Sequence, residues 1–174
     1  MAIQCVIRST LRLPKAKVIE VLDESGQVIL STSQNLITDG IDSIFRDFTF
    51  VPFTLSLKDA DGNIRFTIHK KRSNPMSATN FTLIFRGGRI LIHEGSSFRM
   101  PNLVFSYHGR ELAITGRVRD SFFQLEENGY VLATYDGEGI DDGIDYFVNI
   151  IEETLPLEIF LAVGIVLDNL YHAY

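Results

Sequence analysis

The sequence predicts a mainly β, single-domain protein: about twelve antiparallel strands closed into a barrel around one buried hydrophobic C-terminal helix. Three observations predict it. Apolar and polar residues alternate over most of the chain, which is the period of a half-buried antiparallel strand. Gly-containing turns separate these stretches at the short, regular spacing of a barrel or sandwich. The segment 155–171, LPLEIFLAVGIVLDNLY, breaks the rhythm, with no polar side chain from Ile159 to Leu167. A helix that is apolar all round must be buried on every side.

The bulk numbers agree. The chain has 174 residues, 45% hydrophobic and 22% charged, which suits one domain (1–174) with a sizeable core. The formal net charge of -6 argues against a sequence-independent grip on nucleic acid. Cys5 is the only cysteine, so no intramolecular disulfide forms. With no apolar run of signal-peptide length at the N-terminus, the expected location is cytoplasmic, with peripheral contact at a membrane allowed. A membrane span needs about 20 apolar residues. The 155–171 run is limited by Glu158 and Asp168, so we read it as a core helix and expect no transmembrane span.

In chain order, Ile3 to Ile7 and Leu11 to Leu13 read as a first strand with an irregular exit at Pro14. KVIEVLDESGQVILSTS is a hairpin turning at Asp23-Glu24-Ser25-Gly26. FTLSLKDADGNIRFTIHKK is a second, with Phe53, Leu55, Leu57, Ile64, Phe66 and Ile68 facing inward and Thr54, Ser56, Lys58, Arg65, Thr67 and His69 outward. Three more follow, turning at Gly87-Gly88, near Gly109 and at Asn128-Gly129. DYFVNIIEE then leads into the apolar run. Segment 35–47 has Ile41, Ile44 and Phe45, with Phe48 just after it, at helical spacing and is expected to hold a short helix, whereas 73–79 is a polar loop. In the terminal helix, Thr154 is the expected N-cap and Glu158 suits the positive end of the dipole. Gly164 should admit a strand backbone or a bulky Phe, and Asp168 must be bonded if it is buried.

Repeated hairpins with D-x-x-G-type turns, then a strand, then an apolar helix closing in Leu167-Asp168-Asn169, resemble the tubby C-terminal-like superfamily. The LURP-one-related branch is the nearest in plan, and phospholipid scramblases share it. VLDESGQVIL and LKDADGNIRFTIHKK are similar to the family's early hairpins. The resemblance implies a twelve-stranded barrel around a core helix to which Leu157, Phe160, Leu161, Gly164, Ile165 and Asp168 contribute. It implies no enzymatic activity and no cofactor. Tubby proteins bind phosphoinositide headgroups through basic surface residues, and scramblases have a proposed calcium-responsive acidic segment before the last helix.

Candidate chemistry is sparse. Arg65, His69, Lys70, Lys71 and Arg72 form a cationic group able to hold a lipid phosphate, although charged strand ends also serve to block edge pairing. Arg110, Arg117 and Arg119 read as ordinary outward positions. The acidic segment 136–145, DGEGIDDGID, reads as a polar, flexible connection. It has Ile140 where an EF-hand places its fifth ligand position. The four histidines (His69, His93, His108 and His172) lack metal-ligand spacing, so no metal is expected. There is no nucleophile elbow and no phosphate-binding Gly-rich loop. The expected function is therefore a non-enzymatic module that binds anionic, phosphoinositide-like headgroups on its outer surface. A structural or regulatory protein–protein domain without lipid binding stands beside it.

Overall fold

The computed structural model describes residues 3–12, 16–32, 53–71, 79–94 and 102–171. The expected short helix at 35–47, Arg72, His172 and nearly all of the polar loop lie outside them. The strands are β1 (Ile3–Arg12), β2 (Ala16–Leu22), β3 (Val28–Thr32), β4 (Phe53–Lys58), β5 (Ile64–Lys70), β6 (Asn80–Phe85), β7 (Gly88–Glu94), β8 (Leu103–Tyr107), β9 (Arg110–Arg117), β10 (Phe122–Glu127), β11 (Tyr130–Ile140) and β12 (Gly143–Ile150). The helix α1 spans Leu157–Tyr171. Each strand pairs antiparallel with its neighbours in sequence, and β1 pairs with β12. The result is a closed up-and-down barrel, which has no free sheet edge to attract another chain.

Alternation explains which side chains point inward. Cys5 and Ile7 from β1, Phe66 and Ile68 from β5, Phe81 and Leu83 from β6, and Tyr146 and Val148 from β12 are all buried. They surround α1, in which every residue from Ile159 to Asp168 is buried. More than two helical turns without a solvent face can only be satisfied by a surrounding wall. Full burial of each large apolar side chain contributes about 1.5–3 kcal/mol. Of the six residues expected in this core, Phe160, Leu161, Gly164, Ile165 and Asp168 are fully buried, and Leu157 is half-buried at the first turn.

Several local expectations are corrected. β1 runs unbroken from Ile3 to Arg12, so Arg8, Ser9 and Thr10 do not interrupt it, and the exit expected at Pro14 lies outside the described residues. Ile64 was expected inside but is 59% exposed. The register shifts between Leu57 and Lys58, and Ile64 sits beyond the shift at the strand's edge. Segment 136–145 is not a flexible connection: β11 continues to Ile140 and β12 starts at Gly143, so only Asp141 and Asp142 form the turn. Within it Asp145 receives two hydrogen bonds from Arg8, at 2.9 and 2.7 Å, which raise the Arg8 pKa further. Thr154 does not cap the helix. It lies before the first helical turn, and its hydroxyl accepts a hydrogen bond from Arg110 at 3.0 Å. At Gly164 the close neighbours are neither a strand backbone nor a Phe. A Cβ there would lie 2.5 Å from Ile7 Cδ1 and 3.4 Å from Tyr135 Cδ1.

The antiparallel order assigns every turn to an end of the barrel. The tight turns around Asp23–Gly26, Asp59–Gly62, Arg86–Gly87, His108–Gly109 and Asn128–Gly129 share one end with the start of α1. At Asn128-Gly129 both residues have positive φ, 51° and 82°, as a type I′ turn requires. The helix C-terminus points to the opposite end, where Tyr171 stacks on Phe123 with ring centroids 5.5 Å apart.

Candidate anion-binding site

The cationic residues of β5 do not remain together, because strand alternation divides them. Phe66, Ile68 and Lys70 face inward, while Arg65, Thr67 and His69 face outward. Lys70 is only 4% exposed. Its Nζ donates to Asn169 Oδ1 at 2.9 Å and lies 5.6 Å from the centre of the Phe81 ring. A cation beside the last turn of α1 also complements the negative end of the helix dipole. Lys70 therefore belongs to the interior and not to an outer phosphate site. His69 Nδ1 pairs with Thr54 Oγ1 at 2.8 Å, and Lys71 is exposed near the opposite end from Arg65. Arg65 reaches over the rim of the barrel and bonds Glu158 Oε1, in the first turn of α1, at 3.1 Å.

What the fold does bring beside Arg65 is a different set. Lys58 ends β4 and Arg65 follows the start of β5, so both flank the turn at Asp59–Gly62. Arg86 lies in the next tight turn at the same end, and Arg89 starts down β7. Phe66 is the register partner of Phe85, which places Arg65 and Arg86 next to one paired position. Thr67, Ile84 and Arg89 form one outward row across three strands. Neighbouring strands are about 4.8 Å apart, so the Arg65 and Arg89 backbones are within roughly 10–12 Å, a span that two arginine side chains can close. Arg86 and Arg89 are exposed, and among the described residues Lys58, Arg86 and Arg89 have no ion pair. Ile64 and Ile84, 59% and 43% exposed, lie among these cations. Carboxylates at this end of the barrel include Asp59, Asp61 and Glu158, with Asp23 and Glu24 in the neighbouring β2–β3 turn. Asp59 is engaged by its own turn, accepting from the Asp61 and Asn63 amides at 3.2 and 2.9 Å.

The far side of the same rim has the opposite sign. Glu111, Glu152 and Glu153 are exposed there. Arg110 is committed: it donates to Glu127 Oε1 at 2.8 Å and to the Thr154 carbonyl at 2.8 Å. The hydrogen bond between Arg110 and Glu127 raises the Arg110 pKa and holds the Glu127 carboxyl below its ordinary range. Arg117 pairs with Asp120 at 3.0 Å, and Arg119 is exposed. His93 bonds Asn80 at 2.6 Å, and His108 packs edge-on against Tyr107. Among the described residues no group of three His, Cys, Asp or Glu side chains is arranged to hold a metal ion.

The group Lys58, Arg65, Arg86 and Arg89 has a sequence signal that is easily overlooked. Lys58 and Arg65 flank one tight turn, Arg86 lies in the next and Arg89 just after it, and consecutive hairpins of a meander must place their turns side by side. Contiguous charge, as in His69 to Arg72, draws attention first. In a strand, however, contiguity sends successive side chains to opposite faces. Compared with protein-family models, with curated proteins and with solved structures, the chain matches none. No helix among the described residues is long and apolar enough to cross a membrane.

Proposed function

We propose that this protein is a non-enzymatic β-barrel module of the tubby C-terminal-like kind that binds anionic lipid headgroups on its outer surface, through Lys58, Arg65, Arg86 and Arg89. The observation that carries this reading is the convergence of four cations from two adjacent hairpins on a chain whose net charge is -6. Guanidinium groups bind phosphate oxygens in a bidentate fork. Exposed Ile64 and Ile84 give the sector an apolar component that can enter the headgroup boundary, as interfacial elements do. The buried helix occupies the barrel interior, which supports a reading in which the ligand binds on the outer surface. Basic residues near an anionic leaflet contribute about 1 kcal/mol each, and the attraction fades with salt.

Vesicle sedimentation tests the reading. Binding is expected to phosphatidylcholine vesicles that contain phosphatidylserine or a phosphoinositide, to be absent with phosphatidylcholine alone, and to weaken as salt is raised. The double variant Arg86→Glu/Arg89→Glu should abolish it while Lys71→Ala leaves it intact. Equal binding to neutral and anionic vesicles, or full binding by the double variant, refutes the reading. Absence of any binding leaves the protein–protein module as the better account.

A further inference from the structure

Glu158 places a carboxylate of the chain itself on one of the four cations. Its side chain is 17% exposed and its Oε1 lies 3.1 Å from Arg65 Nη2, whose own side chain is half exposed. We propose that Glu158 is a built-in competitor for the anion site: a phosphate group displaces it from Arg65, so that occupation of the outer surface is coupled to release of the Glu158 carboxylate. This inference rests on the anion-binding reading given above.

Three physical arguments support the exchange. The bridge is a single contact at a solvent-facing rim, and such pairs contribute only about 0–1 kcal/mol. A phosphate offers more oxygens and accepts from a guanidinium in a fork, which makes the stronger charge-assisted pair. The released carboxylate is not left without compensation, because Glu158 lies in the first turn of α1, at the positive end of its dipole. Arg65 thus exchanges a weak partner for a stronger one, and Glu158 keeps a favourable field in either state. By linkage, a change at Glu158 that weakens its contact with Arg65 strengthens anion binding, by at most the factor by which the contact is weakened. Among the four cations, Arg65 is the only one with an ion pair among the described residues, so the competition acts at one defined position.

The measurement is the apparent Kd for phosphatidylserine-containing vesicles. Glu158→Gln should tighten it by about two- to five-fold, the range of an exposed ion pair. Glu158→Asp, which keeps the charge but withdraws the carboxylate, should move it in the same direction by less. In an Arg65→Ala background the Glu158→Gln effect should vanish, as a double-mutant cycle requires of a direct pair. Glu153→Gln removes the same charge from an exposed site at the same end of the barrel and serves as the control. If Glu153→Gln tightens binding as much as Glu158→Gln does, net charge is responsible and the competitor is refuted. If Glu158→Gln leaves Kd unchanged while Arg86→Glu/Arg89→Glu still abolishes binding, the competitor fails and the anion site stands. If neither the wild type nor Glu158→Gln discriminates anionic from neutral vesicles, the anion-site reading fails, and this inference with it.

Discussion

Lys70 shows how one residue's role is set by the parity of its strand. Two residues on from Ile68 on β5, it must point the same way, into the barrel, where Asn169 receives its ammonium group. Replacing it with Ala removes a hydrogen bond from a charged donor, and we expect a loss of about 1.5–3 kcal/mol in a denaturant titration. Binding to anionic vesicles should be unaffected. A Lys70→Ala protein of unchanged stability that fails to bind vesicles would return this residue to the outer site. Cys5 is a second case. Its pKa is pushed up to about 11 by burial. The native thiol should therefore react with a disulfide reagent only after unfolding. A group with a raised folded pKa contributes stability that is complete below its unfolded value, about 8.5, and is lost as pH rises through the folded value. Alkaline destabilisation should thus be shallower in Cys5→Ala, read as the slope of Tm against pH above that value.

At the scale of the element, α1 carries the fold. Val163 is fully buried in it. Val163→Asp would put a charge without a partner into the core, so the expected outcome is loss of soluble folded protein. Leu161→Ala, a milder change at another fully buried position, should cost about 2–5 kcal/mol. A folded Val163→Asp protein with the wild-type Tm would mean that the helix is not the core. Glycine constraints differ along the chain. At Gly164 an added methyl meets the flexible end of Ile7. Some of that cost is offset by the gain in helix propensity, about 0.8–1.0 kcal/mol. At Gly143 it would lie 1.8 Å from the Ser9 carbonyl oxygen, across the β1–β12 seam. Backbone in a paired strand cannot yield as a side chain can. Gly143→Ala should therefore destabilise far more than Gly164→Ala, by about 1–3 kcal/mol or more.

For the whole molecule, the closing seam and the chain's turn into the barrel are held by electrostatic clamps. Arg8 and Asp145 tie β1 to β12, and Arg110 ties Glu127 to the Thr154 carbonyl just before the helix begins. The Glu127 carboxyl is held below its ordinary value by that Arg110 hydrogen bond. A depressed folded pKa contributes stability that is present above the unfolded pKa, about 4.3, and lost as pH falls through the folded value. Glu127→Gln should accordingly flatten the fall of Tm below about pH 4.3. An identical acid profile would show that the clamp does not couple to folding.

The periodic pattern by itself determined the antiparallel sheet, the five tight turns and the central helix, because alternation, turn chemistry and all-round apolarity are local properties of the chain. It also predicted that the barrel is filled by its own helix, as the structure has it. Tertiary structure decided which charges meet. The contiguous run ending at Lys71 came apart because neighbours on a strand face opposite ways, and Lys58, Arg65, Arg86 and Arg89 came together because adjacent hairpins share an end. It likewise decided the partners of Glu158, Asp145 and Thr154, since each bond joins residues far apart in sequence, and only closure of the barrel brings them within reach.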